Sequence, residues 1–124
     1  MANFSLDNNL AAFQIRAFQP GTIQVNDQII TKSLIISAQQ LITEWPPQHA
    51  QEITSQHLAV AAALEPEIIL IGTGSQQLFL PLEIYGEYIN KGIGIEIMNS
   101  AAACRTFNAL TAENRNVVAA IILT

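Results

Sequence analysis

The sequence predicts an α/β fold of three layers, in which flanking helices cover a central mixed, mostly parallel sheet and a β-meander forms the N-terminal part. Two patterns predict this fold. From residue 68 onward, strand-like and helix-like segments alternate, as they do in parallel sheets with right-handed crossovers. Before residue 50, short alternating runs are separated by turn residues, which is typical of a meander. We expect a single domain over residues 1–124, because a chain of this length forms one core.

Residues before position 40 predict short strands joined by turns. Residues 13–18 alternate between apolar and polar side chains, and one face of this strand carries Phe13, Ile15 and Ala17. Turns are predicted at Pro20-Gly21 and at Asn26-Asp27, on either side of a second strand. We expect residues 29–30 and 34–36 to complete the meander.

The chain after residue 54 predicts three helices that alternate with three buried strands. The first helix covers 55–64 and is capped by Thr54 or Ser55; because it has almost no polar face, we expect it to be well buried. The second helix covers 81–92, from a proline to a glycine, and the third covers 100–113 with its first serine as the cap. The strands cover 68–71, 93–98 and 117–123.

Charge and cysteine content exclude several classes of protein. Ten acidic side chains against five basic ones give a net charge of −5, which opposes the binding of nucleic acid. The single cysteine cannot form an internal disulfide, and no cysteines or histidines are spaced for a metal site, so we predict no metal and no cofactor. The longest apolar stretches have seven residues, against the roughly 20 that a bilayer requires, so we predict no transmembrane segment.

The carboxyl ends of two predicted strands carry the candidate ligand site. Ligands of parallel sheets bind beyond these ends, where one of the two loops opens the third helix and presents free N–H groups to an anion. The candidate ligand-binding residues are Gly72, Thr73, Gly74, Ser75, Asn99, Ser100 and Arg105, the last supplying a fixed positive charge. Alternatively, the glycine pair only makes the strand-to-helix turn, since Gln77 stands where a dinucleotide loop has its third glycine. Both interpretations stay open.

Two further side chains are candidates for supporting this site. Cys104 lies near a helix start beside Arg105, which favours a lowered thiol pKa; the alternative is a small buried side chain that packs the helix on the sheet. Glu96 lies on the strand face opposite the isoleucines of that strand. If helices cover both faces, its carboxylate needs a partner, and Arg105 or Arg115 would supply one, either as a structural ion pair or as part of a site.

Trp45 and His57 each have a structural and a functional interpretation. Trp45 precedes two prolines, which fit neither a sheet ladder nor a helix interior, so the segment predicts a loop. Trp45 is therefore a candidate contact for a protein partner, or else a side chain that closes the edge of the core. His57 falls in the first turn of a helix and lacks co-ligands, which favours a structural role over metal binding.

Several motifs follow one another along the second half of the chain. They are Ile69-Leu70-Ile71-Gly72-Thr73-Gly74, Pro81, Gly92-Ile93, Glu96-Ile97-Met98, Ala102-Ala103-Cys104-Arg105-Thr106-Phe107-Asn108, Glu113 and Arg115. Together with the Phe18-Gln19-Pro20-Gly21 turn and Trp45, they resemble a domain-of-unknown-function family of small α/β proteins that includes a mitochondrial assembly factor for respiratory complex I. The resemblance implies a three-layer fold with a central mixed sheet, no cofactor, and no established reaction among bacterial members.

The chain departs from this family at three positions of its candidate site. Family members typically carry Thr at position 100, Tyr at position 107 and often Asp at position 99. This chain retains a hydroxyl at Ser100 but loses one at Phe107 and a charge at Asn99. These changes suit packing or a neutral contact better than catalysis, and we assign no catalytic residue.

Two hypotheses about function follow. The first is a non-enzymatic binding or assembly protein that acts on a protein partner, such as a subunit of a respiratory or membrane complex. Because the N-terminus lacks the basic and apolar regions of a targeting signal, we expect it to be cytoplasmic, or peripheral to the inner membrane through that partner. The second is an enzyme or sensor for a small anionic molecule held by Arg105 in the crevice at Gly72–Gly74. An exposed apolar patch favours the first, and an open pocket at the crevice favours the second.

Overall fold

The computed structural model of the chain describes residues 11–124. Most of the N-terminal segment that we interpret as free of a targeting signal lies outside the described residues. Eight strands follow in order within that range: β1 Ile15–Gln19, β2 Thr22–Val25, β3 Gln28–Ile30, β4 Leu34–Ser37, β5 Leu41–Ile42, β6 Ile68–Gly72, β7 Gly94–Met98 and β8 Val117–Ile121. The helices there are α1 Ser55–Ala62, α2 Leu82–Asn90 and α3 Ser100–Ala112, preceded by a 3-10 turn at Ala50–Glu52.

The strands form two sheets, and the helices lie on both faces of the larger one. Strands β1, β2 and β3 make an antiparallel meander, and the second sheet has the order β5-β4-β8-β6-β7. In that sheet β6 pairs parallel with β7 and β8, whereas β4 pairs antiparallel with β8 and β5. One face is covered by α3 and the meander, and the other by α1 and α2. The predicted three-layer α/β fold with a mixed central sheet and an N-terminal meander is confirmed.

The two central parallel strands, β6 and β8, are covered on both faces and carry no polar side chain. Successive side chains of β8 alternate between the two cores: Val117, Ala119 and Ile121 face α3, while Val118 and Ala120 face the side of α1 and α2. All of them are buried. A continuous apolar run of this kind is typical of a strand with helices on both sides.

Two details of the predicted meander are wrong. Residues 34–36 do not complete it, because Leu34 and its neighbours pair with β8 in the central sheet. All three side chains are fully buried, and only a strand inside the large sheet offers such burial on both faces. In β1 the pairing register shifts between Ile15 and Ala17, so a bulge turns Ala17 toward solvent and Phe18 toward the core.

Helix α1 is less buried than its composition predicts. It begins after the cap Thr54, as expected, and buries Leu58 and Ala61. It packs against α2 and β8 on one side only, so Val60 and Ala59 on its outer side are exposed. Alanine is small and tolerates exposure, so a nearly all-apolar composition here does not require burial all round.

Candidate functional site

The predicted crevice at the carboxyl edge of the sheet is filled by a hydrogen-bonded contact. The hydroxyl of Ser100 accepts a hydrogen bond from the Gly74 N–H at 2.8 Å and donates one to the carbonyl of Ile122. In the opposite direction, the Ser100 N–H donates to the Gly74 carbonyl at 2.8 Å. Ser100 is 0% exposed. The two loops that were expected to face each other across a pocket are therefore bonded to each other.

The glycines of this segment permit that close approach. A Cβ atom on Gly72 would lie 2.7 Å from the Ser100 Oγ, and one on Gly74 would lie 2.1 Å from the carbonyl oxygen of Thr124. Gly74 also has a φ of +105°, which side-chain-bearing residues rarely adopt. The structural interpretation of the glycine pair accounts for both positions, since Gly72, Gly74 and Ser100 are buried in contact with neighbouring residues and leave no space between them for a ligand.

Three of the first N–H groups of α3, those of Ser100, Ala102 and Ala103, already have acceptors within the protein. Asn99 is the cap rather than Ser100, because its side-chain oxygen accepts from the Ala102 N–H at 2.8 Å. The Ala103 N–H bonds the Asn99 carbonyl. Thr73 is buried as well, with its hydroxyl donating to the Gln76 carbonyl at 2.6 Å. These contacts explain Asn99 and Thr73 as structural residues.

Glu96 and Arg105 do not pair, and neither joins the crevice. Strand β7 is the edge of the sheet and α3 lies mainly over β6 and β8, so the face that carries Glu96 is open to solvent. The condition on which we expected a partly buried carboxylate with an arginine partner, helices over both faces of β7, is therefore not met, and Glu96 is exposed. Arg115 instead bonds Glu67, with 2.7 Å between Nε and Oε1. Arg105 is exposed on α3 and lines a hollow that contains none of the other predicted ligand-binding residues and, of the supporting ones, only Cys104.

Cys104 is a packing residue. Its side chain is buried in the core between α3 and the meander, together with Phe107 and Ile15. Burial raises the pKa of the thiol to about 12, although the positive charge of Arg105 acts in the opposite direction. The functional interpretation, a thiol with a lowered pKa, is contradicted because desolvation outweighs the arginine.

We expect Cys104 to react slowly with alkylating agents in the folded protein. At about pH 8, alkylation by iodoacetamide will be on the order of 1,000-fold slower than in urea, where the thiol recovers its ordinary pKa. The pKa of this thiol is about 12 in the folded protein and about 8.5 in the unfolded chain, so between these values it ionises only in the unfolded chain. The free energy of unfolding therefore decreases as the pH rises from about 8.5 toward 12. Mass spectrometry of timed samples measures the rate. Equal rates in buffer and urea would contradict burial of the thiol.

Trp45 and His57 form a structural unit with the cap of α1. Trp45 is 1% exposed, and its indole N–H donates to the His57 carbonyl at 3.0 Å. The His57 Nδ1 accepts from the Thr54 N–H at 3.0 Å, and the His57 N–H donates to the Thr54 hydroxyl at 3.3 Å. The structural interpretation of His57 is confirmed. Trp45 is not an exposed partner contact, because it closes the edge of the core.

An exposed apolar surface lies on the loop between β6 and α2, where no site was predicted. Phe79 is 96% exposed and Leu82 is 62% exposed. Phe79 lines a hollow of about 370 Å³, and Leu82 lies three residues further along the chain. We call the apolar set the Phe79 surface: Ile53, Leu78, Phe79, Leu80, Pro81, Leu82 and Ile84. The signal was present in the sequence, because residues 78–82 are all apolar in a loop, where polar residues are the rule.

A second hollow continues from the Phe79 surface toward the closed crevice. It has a volume of about 320 Å³ and shares Ala50, Gln51 and Leu78 with the first. Its other walls are mostly polar: His49, Thr73, Ser75, Gln76 and Thr124. Of the predicted ligand residues, only Thr73 and Ser75 line it. No group of three or more His, Cys, Asp or Glu side chains in residues 11–124 is arranged to hold a metal ion.

These features define a small three-layer α/β protein whose carboxyl sheet edge is closed by packing and whose surface exposes the apolar side chains of Phe79 and Leu82. The chain belongs to the DUF498/DUF598 family of proteins of unknown function, whose model matches residues 15–122. The resemblance found in the sequence motifs is confirmed. Among solved structures, the NMR structure of a Bordetella pertussis protein described as a Mth938-like domain superposes with a TM-score of 0.81. It is 27% identical, and the match covers 99% of this chain and 90% of that one.

Two relatives have names that concern membranes or assembly. The 13 kDa major membrane protein of Francisella tularensis is 45% identical over 91 residues, which cover 72% of this chain and 73% of that protein. NADH dehydrogenase (ubiquinone) 1 alpha subcomplex assembly factor 3 of Danio rerio is 34% identical over 83 residues, which cover 65% of this chain and 48% of that protein. The chain thus spans about half the length of that factor. Among residues 11–124, no helix has the length and apolarity to cross a bilayer.

Proposed function

We propose that this chain is a non-enzymatic assembly protein that binds an apolar segment of a partner protein through the Phe79 surface. The observation that carries the proposal is a phenyl ring left almost entirely in water beside an apolar hollow. Burying such a ring contributes about 1.5–3 kcal/mol, and contiguous exposed apolar surface on soluble proteins marks interaction sites. The hollow offers a place for a side chain of the partner next to that ring.

The charges near the Phe79 surface favour a partner segment with basic residues beside its apolar anchor. None of the residues that line the hollow is charged. The adjacent positions carry acidic side chains: Glu52 follows Gln51 in the lining, and Glu83 follows Leu82. Both carboxylates are exposed. A central apolar contact with a charged rim is the usual anatomy of a protein interface, and an acidic rim selects a basic partner.

The names of the relatives indicate where to look for that partner. An assembly factor for NADH dehydrogenase and a membrane protein are both similar to this chain. A subunit of respiratory complex I, or of another membrane complex, is therefore the first class of partner to test. In this proposal the chain is cytoplasmic and reaches the inner membrane through the partner.

Copurification from the native cell tests the proposal with a matched pair of variants. Phe79→Ser removes the exposed ring from the surface, whereas Ile29→Ser removes a side chain that is 61% exposed on β3, in the meander on the other side of the sheet. We expect the wild type and Ile29→Ser to recover the same membrane-complex subunits under gentle detergent, and Phe79→Ser to lose at least about tenfold of them. Equal recovery by all three proteins, or recovery of none, would overturn the proposal.

A further inference from the structure

A second exposed feature lies on the opposite side of the central sheet from the Phe79 surface. It is a hollow of about 300 Å³ between β1 and the first half of α3. Arg16 from the strand and Arg105 from the helix both line it. No acidic residue lines it, so the two positive charges meet no negative side chain in the hollow, although the chain has a net charge of −5. We call it the arginine hollow.

Both arginines lack a charged partner in the part of the chain that the structure describes. The two ion pairs found there use Lys91 with Glu87 and Arg115 with Glu67. Neither Arg16 nor Arg105 makes a salt bridge or a side-chain hydrogen bond within residues 11–124. Lys32 is the remaining unpaired cation of that range, and it lies elsewhere. Two of three unpaired cations therefore share one hollow.

The strand and the helix that carry these arginines are bonded to each other. The side-chain amide of Asn108 in α3 makes two hydrogen bonds to the backbone of Ile15 in β1. Its oxygen accepts from the Ile15 N–H at 3.1 Å, and its NH2 group donates to the Ile15 carbonyl at 2.7 Å. The register shift after Ile15 occurs at the position of Arg16, and bulges of this kind redirect side chains. The spacing between the two arginine backbones is thereby fixed by the fold.

The remaining wall adds no negative charge. Cys104 forms part of it and stays neutral because burial raises the pKa of its thiol to about 12. Ala101, in the first turn of α3, also lines the hollow, so the positive end of the helix dipole lies nearby. The side chains that line the hollow are therefore either neutral or, in the case of the two arginines, positively charged.

We infer that the arginine hollow binds a small dianionic oxyanion group, a phosphate or a dicarboxylate. The planar guanidinium groups match the oxygens of either group, and two of them favour two negative charges over one. The volume is at the lower end of the roughly 300–1,000 Å³ range of small-molecule sites. The sequence predicts that Arg105 holds an anion in the crevice; we place that anion instead in the hollow between α3 and β1. This inference does not rest on the proposed partner surface.

Titrations followed by two-dimensional amide NMR test the inference. The probes are inorganic phosphate, succinate and the monoanion acetate, each added at constant ionic strength. The variants are Arg16→Gln, Arg105→Gln and, as the matched control, Lys32→Gln. We expect phosphate, succinate or both to give saturable shifts at Ala17, Ala101 and Cys104 in the wild type and in Lys32→Gln. We expect binding at least about tenfold weaker in each arginine variant, and weaker acetate binding throughout.

Each outcome decides the inference. Tighter binding of phosphate assigns a phosphate group, and tighter binding of succinate assigns a dicarboxylate. Shifts that grow linearly with every anion, that occur equally all over the protein, or that persist unchanged in Arg16→Gln and Arg105→Gln would overturn it. If the arginine hollow binds no anion, the copurification expected through Phe79 is unaffected. The arginine hollow and the Phe79 surface lie beside different hydrophobic cores, on opposite faces of the central sheet.

Discussion

Replacing Ser100 by alanine will lower the free energy of unfolding by about 2–4 kcal/mol, because two buried backbone groups lose their only side-chain partner. The Gly74 N–H loses its acceptor, and the Ile122 carbonyl loses the donor that the hydroxyl supplies. No water can replace the hydroxyl easily, since Ser100 is fully buried. Urea denaturation followed by circular dichroism measures the change.

Ser75→Ala is the control for that measurement. Ser75 stands in the same loop, is exposed, and makes its interloop contact through its backbone N–H, which the substitution retains. We expect a change within about 0.5 kcal/mol for this variant. If Ser100→Ala were no more costly than Ser75→Ala, the closed crevice would be wrong, and the predicted ligand pocket at Gly72–Gly74 would have to be reconsidered.

Replacing Trp45 by alanine will lower the free energy of unfolding by about 3–5 kcal/mol, the usual cost of removing a large buried aromatic side chain. The indole fills the edge of the core beside Ile53 and Leu58. Its N–H also holds the His57 carbonyl in the first turn of α1. Thermal and urea unfolding measure the loss.

Trp45→Phe separates packing from the hydrogen bond. It retains an aromatic ring but leaves the His57 carbonyl without the indole donor, so we expect an intermediate loss of about 1–2 kcal/mol. A partner contact on the surface would behave differently, since its removal would weaken binding and leave unfolding unchanged. If Trp45→Ala had the same urea midpoint of unfolding as the wild type, Trp45 would have to be interpreted as a surface contact for a partner rather than as a core residue.

The fold was predictable because its signals are local. The continuous apolar runs of β6 and β8 and the proline before α2 indicate elements that depend little on distant neighbours. The placement of residues 34–36 was not predictable in this way. Its apolar run identifies a buried strand, but only long-range pairing with β8 decides which sheet contains it.

The prediction of the candidate site was wrong at the positions whose surroundings depend on strand order and on side-chain packing. Glu96 alternates with isoleucines in the sequence, but its exposure follows from the position of β7 at the edge of the sheet. The glycines at 72 and 74 indicate close approach equally well for a ligand and for a neighbouring helix, and here Ser100 occupies the space. The exposed Phe79 could have been found, because residues 78–82 are apolar without interruption, and a short connection between a strand and a helix cannot bury all of them: Leu80 enters the core, whereas Phe79 and Leu82 stay exposed.

Photocrosslinking from position 79 in the native cell tests the central claim most directly. A benzophenone amino acid replaces Phe79 in one protein and Ile29 in the other, so that both probes occupy exposed apolar positions. The account predicts one discrete crosslinked protein from position 79, identified by mass spectrometry as a subunit of a membrane complex, and none from position 29. No crosslink from position 79, or the same products from both positions, would contradict it.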